Sequence, residues 1–157
     1  MEPIQPRRYL EDFDLGETFE TPAYTLCEQD ARAFALSYDP QPFHLDAGAA
    51  AESLFGELVV SGWHTAAITM RLIVECGVLR DVGIVGTGID ELRWLAPVGS
   101  ASTLFVRGTI FERVPRPGRS RGILRVKLLT IDQSGATVMT QIANLIVPQR
   151  TQTPEST

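Results

Sequence analysis

Two residues that can exchange protons with a substrate, Asp39 and His44, stand five positions apart in the segment DPQPFH. An imidazole carries protons near neutral pH, and a carboxylate beside it can orient a water molecule and transfer a second proton. The two side chains cannot meet along one extended segment, but Pro40 and Pro42 favour a turn that directs both into one pocket. The segment therefore predicts a candidate acid and base pair.

A second polar break, Ser61-Gly62-Trp63-His64, comes directly before an apolar segment. Ser61 is a typical helix N-cap, a feature that contributes about 1 kcal/mol. The first turn of a helix offers unpaired N–H groups and the positive end of a dipole, which stabilise an anionic oxygen. Gly62 lets a ligand approach the backbone closely. His64, in the same turn, is predicted to be a neutral, hydrogen-bonded residue near the pocket.

Each of these residues also has a purely structural interpretation. Asp39 can bond its own backbone in the turn before Pro40, and His44 can be a half-buried imidazole bonded to a carbonyl.

Two other chemistries are considered for the same residues. Ser61, His44 and Asp39 have the residue types of a hydrolytic triad, although no nucleophile elbow surrounds the serine. His44 and Asp46, without a third histidine or a cysteine cluster, do not predict a metal site, and we assign no metal.

The segments before the acid and base pair predict a strand and a helix. Residues 17–24 favour a short strand that is interrupted at Pro22 and therefore suits a sheet edge. Residues 25–28 fit a capping box that opens a helix ending near Ser37. The prolines of residues 38–44 predict a stiff, non-helical loop.

The segments after the pair predict one central helix and a sheet. Asp46 is predicted to cap a short helix through residue 53. Residues 62–76 carry apolar side chains on nearly every helical face, which is typical of a helix buried within a protein. Four long strands are predicted over residues 84–98, 102–114, 122–131 and 136–147. Together these elements predict an α+β fold in which a long antiparallel sheet wraps around the central helix, with open sheet edges that favour a homodimer.

Length, composition and charge limit the remaining possibilities. The chain of 157 residues, 44% hydrophobic and 21% charged, is typical of one globular domain. Its net charge of −5 argues against nucleic acid as a partner. The absence of a long apolar run or a secretory signal predicts no membrane association and a cytoplasmic location. Cys27 and Cys76 do not have a disulfide or zinc spacing and are expected to be ordinary packing residues.

The order of these motifs resembles the MaoC-like dehydratases, hot-dog-fold proteins that include the (R)-specific enoyl-CoA hydratases. The resemblance covers residues 9–147 of a single domain, and leaves residues 148–157 as a flexible tail. It is carried by Phe34-Ala35, the DPQPFH segment, Asp46, Phe55-Gly56, Ser61-Gly62 and Pro97-Val98.

The resemblance implies a role for each matched position. Asp39 and His44 would activate the water, and the amide of Gly62 would bind the thioester carbonyl. Apart from the resemblance, the residue type of Gln41 suits it to hold a carbonyl or the Asp39 side chain, and Ser61 would contact the substrate only secondarily to capping the helix. Departures from the common pattern at Tyr38, Gln41, Glu57 and Ser61 affect the expected substrate more than the expected reaction.

Aromatic and basic residues have two interpretations each. The side chains of Phe43, Phe55 and Trp63 would line an acyl tunnel or would simply pack in the core. Four arginines, at positions 113, 116, 119 and 121, lie in a predicted hairpin loop. They would either solvate the hairpin or bind the phosphates of coenzyme A.

The expected activity is the interconversion of a trans-2-enoyl thioester and its (R)-3-hydroxyacyl thioester by a homodimer. The substrate would be an acyl-CoA or acyl-carrier-protein thioester, and no cofactor beyond the coenzyme A of the substrate is expected. The alternatives are a hot-dog acyl-CoA thioesterase and a subunit that binds acyl thioesters without turning them over.

Overall fold

A computed structural model describes residues 7–150, which fold around one antiparallel sheet. The strands are β1 (Thr18–Glu20), β2 (Tyr24–Thr25), β3 (Val85–Trp94), β4 (Thr103–Val114), β5 (Arg121–Asp132) and β6 (Thr137–Pro148). The sheet order is β1-β4-β5-β6-β3, and β2 also pairs with β4. The helices are α1 (Glu28–Tyr38), α2 (Pro42–Leu45), α3 (Ala47–Ala51) and α4 (Gly62–Cys76). This architecture confirms the predicted α+β fold.

The long helix α4 packs its buried face against the inner face of the sheet. The hydroxyls of Thr69 on α4 and Thr130 on β5 lie 2.7 Å apart and join the two layers inside the core. A buried polar pair of this kind is stable because each hydroxyl has a partner. The core around it is apolar and includes Ile68, Leu72, Ile73, Leu104, Val106, Leu124, Val126, Leu128 and Leu145.

Helix α4 begins and ends where the sequence predicts. Ser61 caps it by accepting a hydrogen bond from the N–H of Trp63. Gly77 ends it with a φ of 74°, a left-handed conformation that glycine adopts without a Cβ penalty. The predicted cap of α3 is also confirmed, because the Asp46 carboxylate accepts a hydrogen bond from the N–H of Ala49.

Two local predictions are wrong. The capping box at residues 25–28 does not form, because Thr25 belongs to β2 and its hydroxyl pairs with that of Thr103 on β4. Strand pairing therefore replaces the cap, and Cys27 is an N-cap without a side-chain bond. The predicted non-helical loop of residues 38–44 is also wrong in part, because Pro42 occupies the first turn of the short helix α2. Proline is favoured there because its missing N–H has no helical partner to lose.

One face of α4 is not buried in the protomer, contrary to the prediction of a helix buried on every side. Trp63, Met70 and Val74 are between 45% and 57% exposed and lie on the same side of the helix. The adjoining strand β3 is an edge strand whose residues are mostly exposed, among them Val85 and Ile89. None of the helices among residues 7–150 is long and apolar enough to cross a membrane.

The carboxyl-terminal boundary differs slightly from the prediction. Strand β6 continues to Pro148, and the side chain of Gln149 is buried and bonds the carbonyls of Arg116 and Arg119 in the β4–β5 hairpin loop. Residues 148 and 149 are thus attached to the sheet and its hairpin, and Arg150 is bonded to Glu11 and Asp12. The rest of the predicted tail, residues 151–157, lies outside the described residues.

Candidate active site

The structure brings Asp39 and His44 together. Asp39 is the C-cap of α1 and His44 lies in α2, so the chain reverses between them through Pro40 and Pro42. The Nε2 atom of His44 is 3.2 Å from Oδ2 of Asp39. The side chains are 6% and 16% exposed, so the pair is shielded but still reachable from one side.

The orientation of the imidazole is set by a backbone carbonyl. The Nδ1 atom of His44 lies 2.7 Å from the carbonyl oxygen of Val59. Because a carbonyl only accepts, Nδ1 carries the proton of this bond. Nε2 is therefore the nitrogen that faces Asp39. The structural interpretation, in which His44 is bonded to a backbone carbonyl, is therefore also observed. The bond orients the imidazole of His44 toward the Asp39 carboxylate.

The Asp39 carboxylate accepts two further hydrogen bonds. The Gln41 amide donates to Oδ1 at 2.7 Å, and the Ser61 hydroxyl donates to Oδ2 at 2.6 Å. Burial by itself raises the pKa of Asp39, but the bonds from Ser61 and Gln41 and the proximity of His44 outweigh it, so the net pKa is lowered. Asp39 is therefore ionised at neutral pH.

Ser61 does not act as a hydrolytic nucleophile in this geometry. Its hydroxyl donates to Asp39 rather than to His44, and its oxygen accepts from the N–H of Trp63. The serine is fully buried. It connects the carboxylate to the first turn of α4, which is where unpaired helix N–H groups lie.

Gly62 is held by a tryptophan that the sequence analysis missed. The Trp94 indole donates from Nε1 to the Gly62 carbonyl at 2.7 Å. A Cβ on Gly62 would lie 2.7 Å from the same indole, so the close packing of Trp94 requires glycine there. Trp63 packs edge-on against Trp94, with ring centroids 5.0 Å apart. No local sequence signal indicates Trp94, because it reaches the site from the end of β3.

These groups border a cavity of about 450 Å³. Every predicted site residue except Ser61 lines it, including Phe43, Phe55 and Trp63, and Ser61 is one hydrogen bond away through Asp39. The other walls are formed by Val59, Val60, Thr65, Trp94, Leu95, Ala96, Pro97 and Val98. The cavity is mainly apolar, with its polar groups converging at one end, as is typical of a ligand site.

His64 is not among the residues that line this cavity. It is 6% exposed and stacks on Phe34 at a centroid distance of 4.7 Å. Burial lowers the pKa of His64 against the opposing attraction of Asp30, which agrees with the predicted neutral form. Its Nδ1 atom has no hydrogen-bond partner among the described residues.

Within residues 7–150 there is no cluster of three or more His, Cys, Asp or Glu residues able to hold a metal ion. Asp46, the second candidate ligand, caps α3 by accepting a hydrogen bond from the N–H of Ala49.

The four arginines lie at the other end of the sheet from this site. The hairpin that carries them joins β4 to β5 next to the pair formed by Val114 and Ile123. The site lies toward the opposite end of β5, because Trp94 pairs with Met139 on β6 and Met139 pairs with Thr130 on β5. The rise of a strand places these ends about 25 Å apart. A contact between the arginines and a ligand in the cavity of the same protomer is therefore not supported.

An antiparallel sheet packed on one long helix defines a hot-dog-fold protein, and a carboxylate and an imidazole lie beside the start of that helix. A sequence model of the MaoC like domain matches residues 12–130. The chain therefore belongs to the MaoC-like domain family.

Individual relatives agree with this assignment. Protein MaoC of Klebsiella aerogenes is 40% identical over 115 residues, which are 73% of this chain and 34% of that protein. The solved MaoC-like dehydratase from Rhodospirillum rubrum has 40% identity and a TM-score of 0.84, covering 92% of this chain and 99% of that chain. The (R)-hydratase PhaJ1 of Pseudomonas aeruginosa shares the fold, with a TM-score of 0.71, 24% identity and 95% coverage of both chains.

Proposed function

We propose that the protein is an (R)-specific hydratase and dehydratase that interconverts a trans-2-enoyl thioester and the (R)-3-hydroxyacyl thioester. One observation carries the proposal: the 3.2 Å pair of His44 Nε2 and Asp39 Oδ2 lies beside the first turn of α4 in a mainly apolar cavity. The (R) configuration is proposed by analogy with PhaJ1, which is described as an (R)-hydratase.

The proposed chemistry uses Asp39 and His44 as one unit around a water molecule. In hydration, the water oxygen bonds to Cβ of the substrate while one member of the pair accepts a water proton. A proton is delivered to Cα, so the pair returns to its starting state and no electrons leave the system. The Gly62 amide and the α4 dipole would stabilise the enolate oxygen between these steps.

This reaction needs no redox cofactor. Coenzyme A or an acyl carrier protein would arrive as part of the substrate, with the acyl group in the cavity. The apolar walls, among them Phe43, Phe55 and Trp63, fit an acyl chain better than a charged substrate.

We further propose a homodimer whose interface is β3 and the exposed face of α4. The edge strand β3 is ten residues long and has an unpaired side, which a second copy can extend as an antiparallel strand. The exposed apolar side chains of Trp63, Met70 and Val74 would be covered by the same contact. Pairing and apolar burial therefore point to one surface.

The test is the loss of enoyl absorbance when the purified protein meets crotonyl-CoA. We expect Asp39→Asn and His44→Ala each to lower kcat by about 10²–10⁴-fold, the usual contribution of a positioned acid or base. Asp132→Asn is the matched control, because Asp132 also accepts hydrogen bonds from a serine but lies at the end of β5, where the turn to β6 begins. Normal turnover by both site variants would refute the mechanism, and release of free thiol from a saturated acyl-CoA would indicate a thioesterase.

A further inference from the structure

His64 is a buried imidazole that the proposed reaction does not use. It lies in the first turn of α4, shortly after Gly62, and it does not line the cavity. Its ring stacks almost parallel on the ring of Phe34 in α1, with an angle of 10° between the planes and a centroid distance of 4.7 Å. The stack therefore joins α1 to the start of α4 outside the space that a substrate would occupy.

The two helices that this stack joins each end or begin at the site. Phe34 contacts Tyr38, the last residue of α1, with ring centroids 5.1 Å apart, and Asp39 follows directly as the C-cap. In the part of the chain that the structure describes, one hydrogen bond connects this end of α1 to the start of α4, from Ser61 to Asp39. The stack thus supports the helix ends on which that bond depends.

The stacked imidazole is stable only when it is neutral. The Nδ1 atom of His64 is buried without a hydrogen-bond partner, so in the charged ring it would be a buried donor without an acceptor. A positive charge in the first turn of α4 also opposes the positive end of the helix dipole. Burial lowers the pKa of His64 from its ordinary value of 6.5, against the opposing attraction of Asp30.

Asp30 offers the charged imidazole a better position outside the stack. Asp30, Phe34 and Tyr38 are spaced four residues apart and share one stripe of α1. Among the described residues, Asp30 is the one charged group whose attraction acts on the imidazole, and the first turn of α4 carries no acidic residue. Asp30 is exposed, so a protonated His64 gains both water and this carboxylate by leaving Phe34.

We propose that His64 is a positioning residue whose neutral ring, stacked on Phe34, holds α1 against α4 so that Asp39 keeps its bond to Ser61. The inference rests on the proposed function for the reaction that this geometry serves. As pH falls below 6.5, the open arrangement takes up a proton that the stacked arrangement resists, so the stack opens. Turnover would then decline partially in mild acid, ahead of the deeper loss that follows protonation of Asp39.

The pH dependence of crotonyl-CoA hydration tests this role. We expect kcat of the wild-type protein to fall by about three- to tenfold in a step below pH 6.5, the cost of a small misplacement of Asp39. KM should change by less than about twofold, because neither His64 nor Phe34 lines the cavity.

Three variants separate the stack from the charge. His64→Phe keeps a ring for the stack and cannot be protonated, so it should retain kcat at pH 7 and lose the step. His64→Leu and Phe34→Leu lack the stack, and they should show the lowered kcat at every pH. Urea denaturation at pH 7 establishes that each variant is folded.

Nuclear magnetic resonance supplies a readout that needs no turnover. The chain has two histidines, so His64 is the single imidazole in His44→Ala. In that variant the backbone amide signal of Asp39 should titrate with the same midpoint as the His64 ring. Adding Asp30→Asn should move both midpoints to lower pH, because the charged imidazole loses its attraction. A ring that is merely packed would titrate without moving the Asp39 signal.

Three results would overturn the inference. They are a step in kcat that persists in His64→Phe, wild-type kcat at pH 7 in folded His64→Leu and Phe34→Leu, and an Asp39 signal that does not follow the His64 titration. If the wild-type protein does not hydrate crotonyl-CoA at any pH, the proposed function fails, and the Asp39 signal alone decides the role of His64.

Discussion

Replacing Ser61 by alanine removes one hydroxyl that makes two hydrogen bonds. It donates to Asp39 at 2.6 Å and accepts from the N–H of Trp63 at 3.2 Å. The helix cap contributes about 1 kcal/mol and the bond to a buried carboxylate about 2 kcal/mol. We therefore expect Ser61→Ala to lower the free energy of unfolding by about 3 kcal/mol at pH 7, measured by urea denaturation.

The same change predicts a shift in the pH dependence of catalysis. The hydrogen bond from Ser61 lowers the pKa of Asp39, so its loss should raise that pKa. Asp39 contributes stability that is present above its ordinary pKa of 3.8 and lost as pH falls through the lower folded value. The stability difference between wild type and Ser61→Ala should accordingly shrink below about pH 4. The acid limb of kcat/KM should move to higher pH.

Ser134→Ala is the matched control. Ser134 donates to Asp132 at 2.6 Å, the same length as the Ser61 bond, but in an exposed turn. It should alter neither the acid limb nor the free energy of unfolding by more than about 0.5 kcal/mol. If Ser61→Ala keeps the wild-type acid limb while losing stability, the serine only caps the helix and our account of Asp39 is wrong.

Three other changes test separate parts of the structure. Gly62→Ala should reduce kcat/KM by tenfold or more, because its Cβ would displace Trp94, and Trp94→Phe should show how much of the loss belongs to the indole bond. Gly108→Ala should destabilise the fold by about 1–3 kcal/mol, because its Cβ would lie 2.2 Å from the Phe19 ring; thermal unfolding should show partial recovery when Phe19→Leu is added. Met70→Glu places a charge on the proposed dimer surface and should yield a monomer in light scattering, whereas an unchanged mass would reject that interface.

Features set by short stretches of sequence could be predicted, and contacts between distant strands could not. The prolines at 40 and 42 and the cap at Ser61 act within a few residues, so the acid and base pair and both ends of α4 follow from local rules. The role of Trp94 depends on the register of β3 against β6, which determines where that strand ends. The capping box at Thr25 was mispredicted for the same reason, since pairing with Thr103 decides its conformation.

Solvent exposure on α4 also depends on more than its own sequence. The apolar pattern of residues 62–76 predicted burial on every side, yet one protomer covers only the face toward the sheet. The apolar residues of a helix reflect every surface that covers it, including the surface of a second chain. It does not distinguish burial by the same chain from burial by a neighbour.

The bond between Trp94 and Gly62 would link assembly to turnover. Trp94 is the last residue of β3, the strand that we propose a second copy pairs with, and its indole fixes the first residue of α4. Separation of the two copies would free the strand end and, with it, the glycine whose amide is assigned to the thioester. Specific activity should therefore fall on dilution, with a midpoint at the dissociation constant of the dimer.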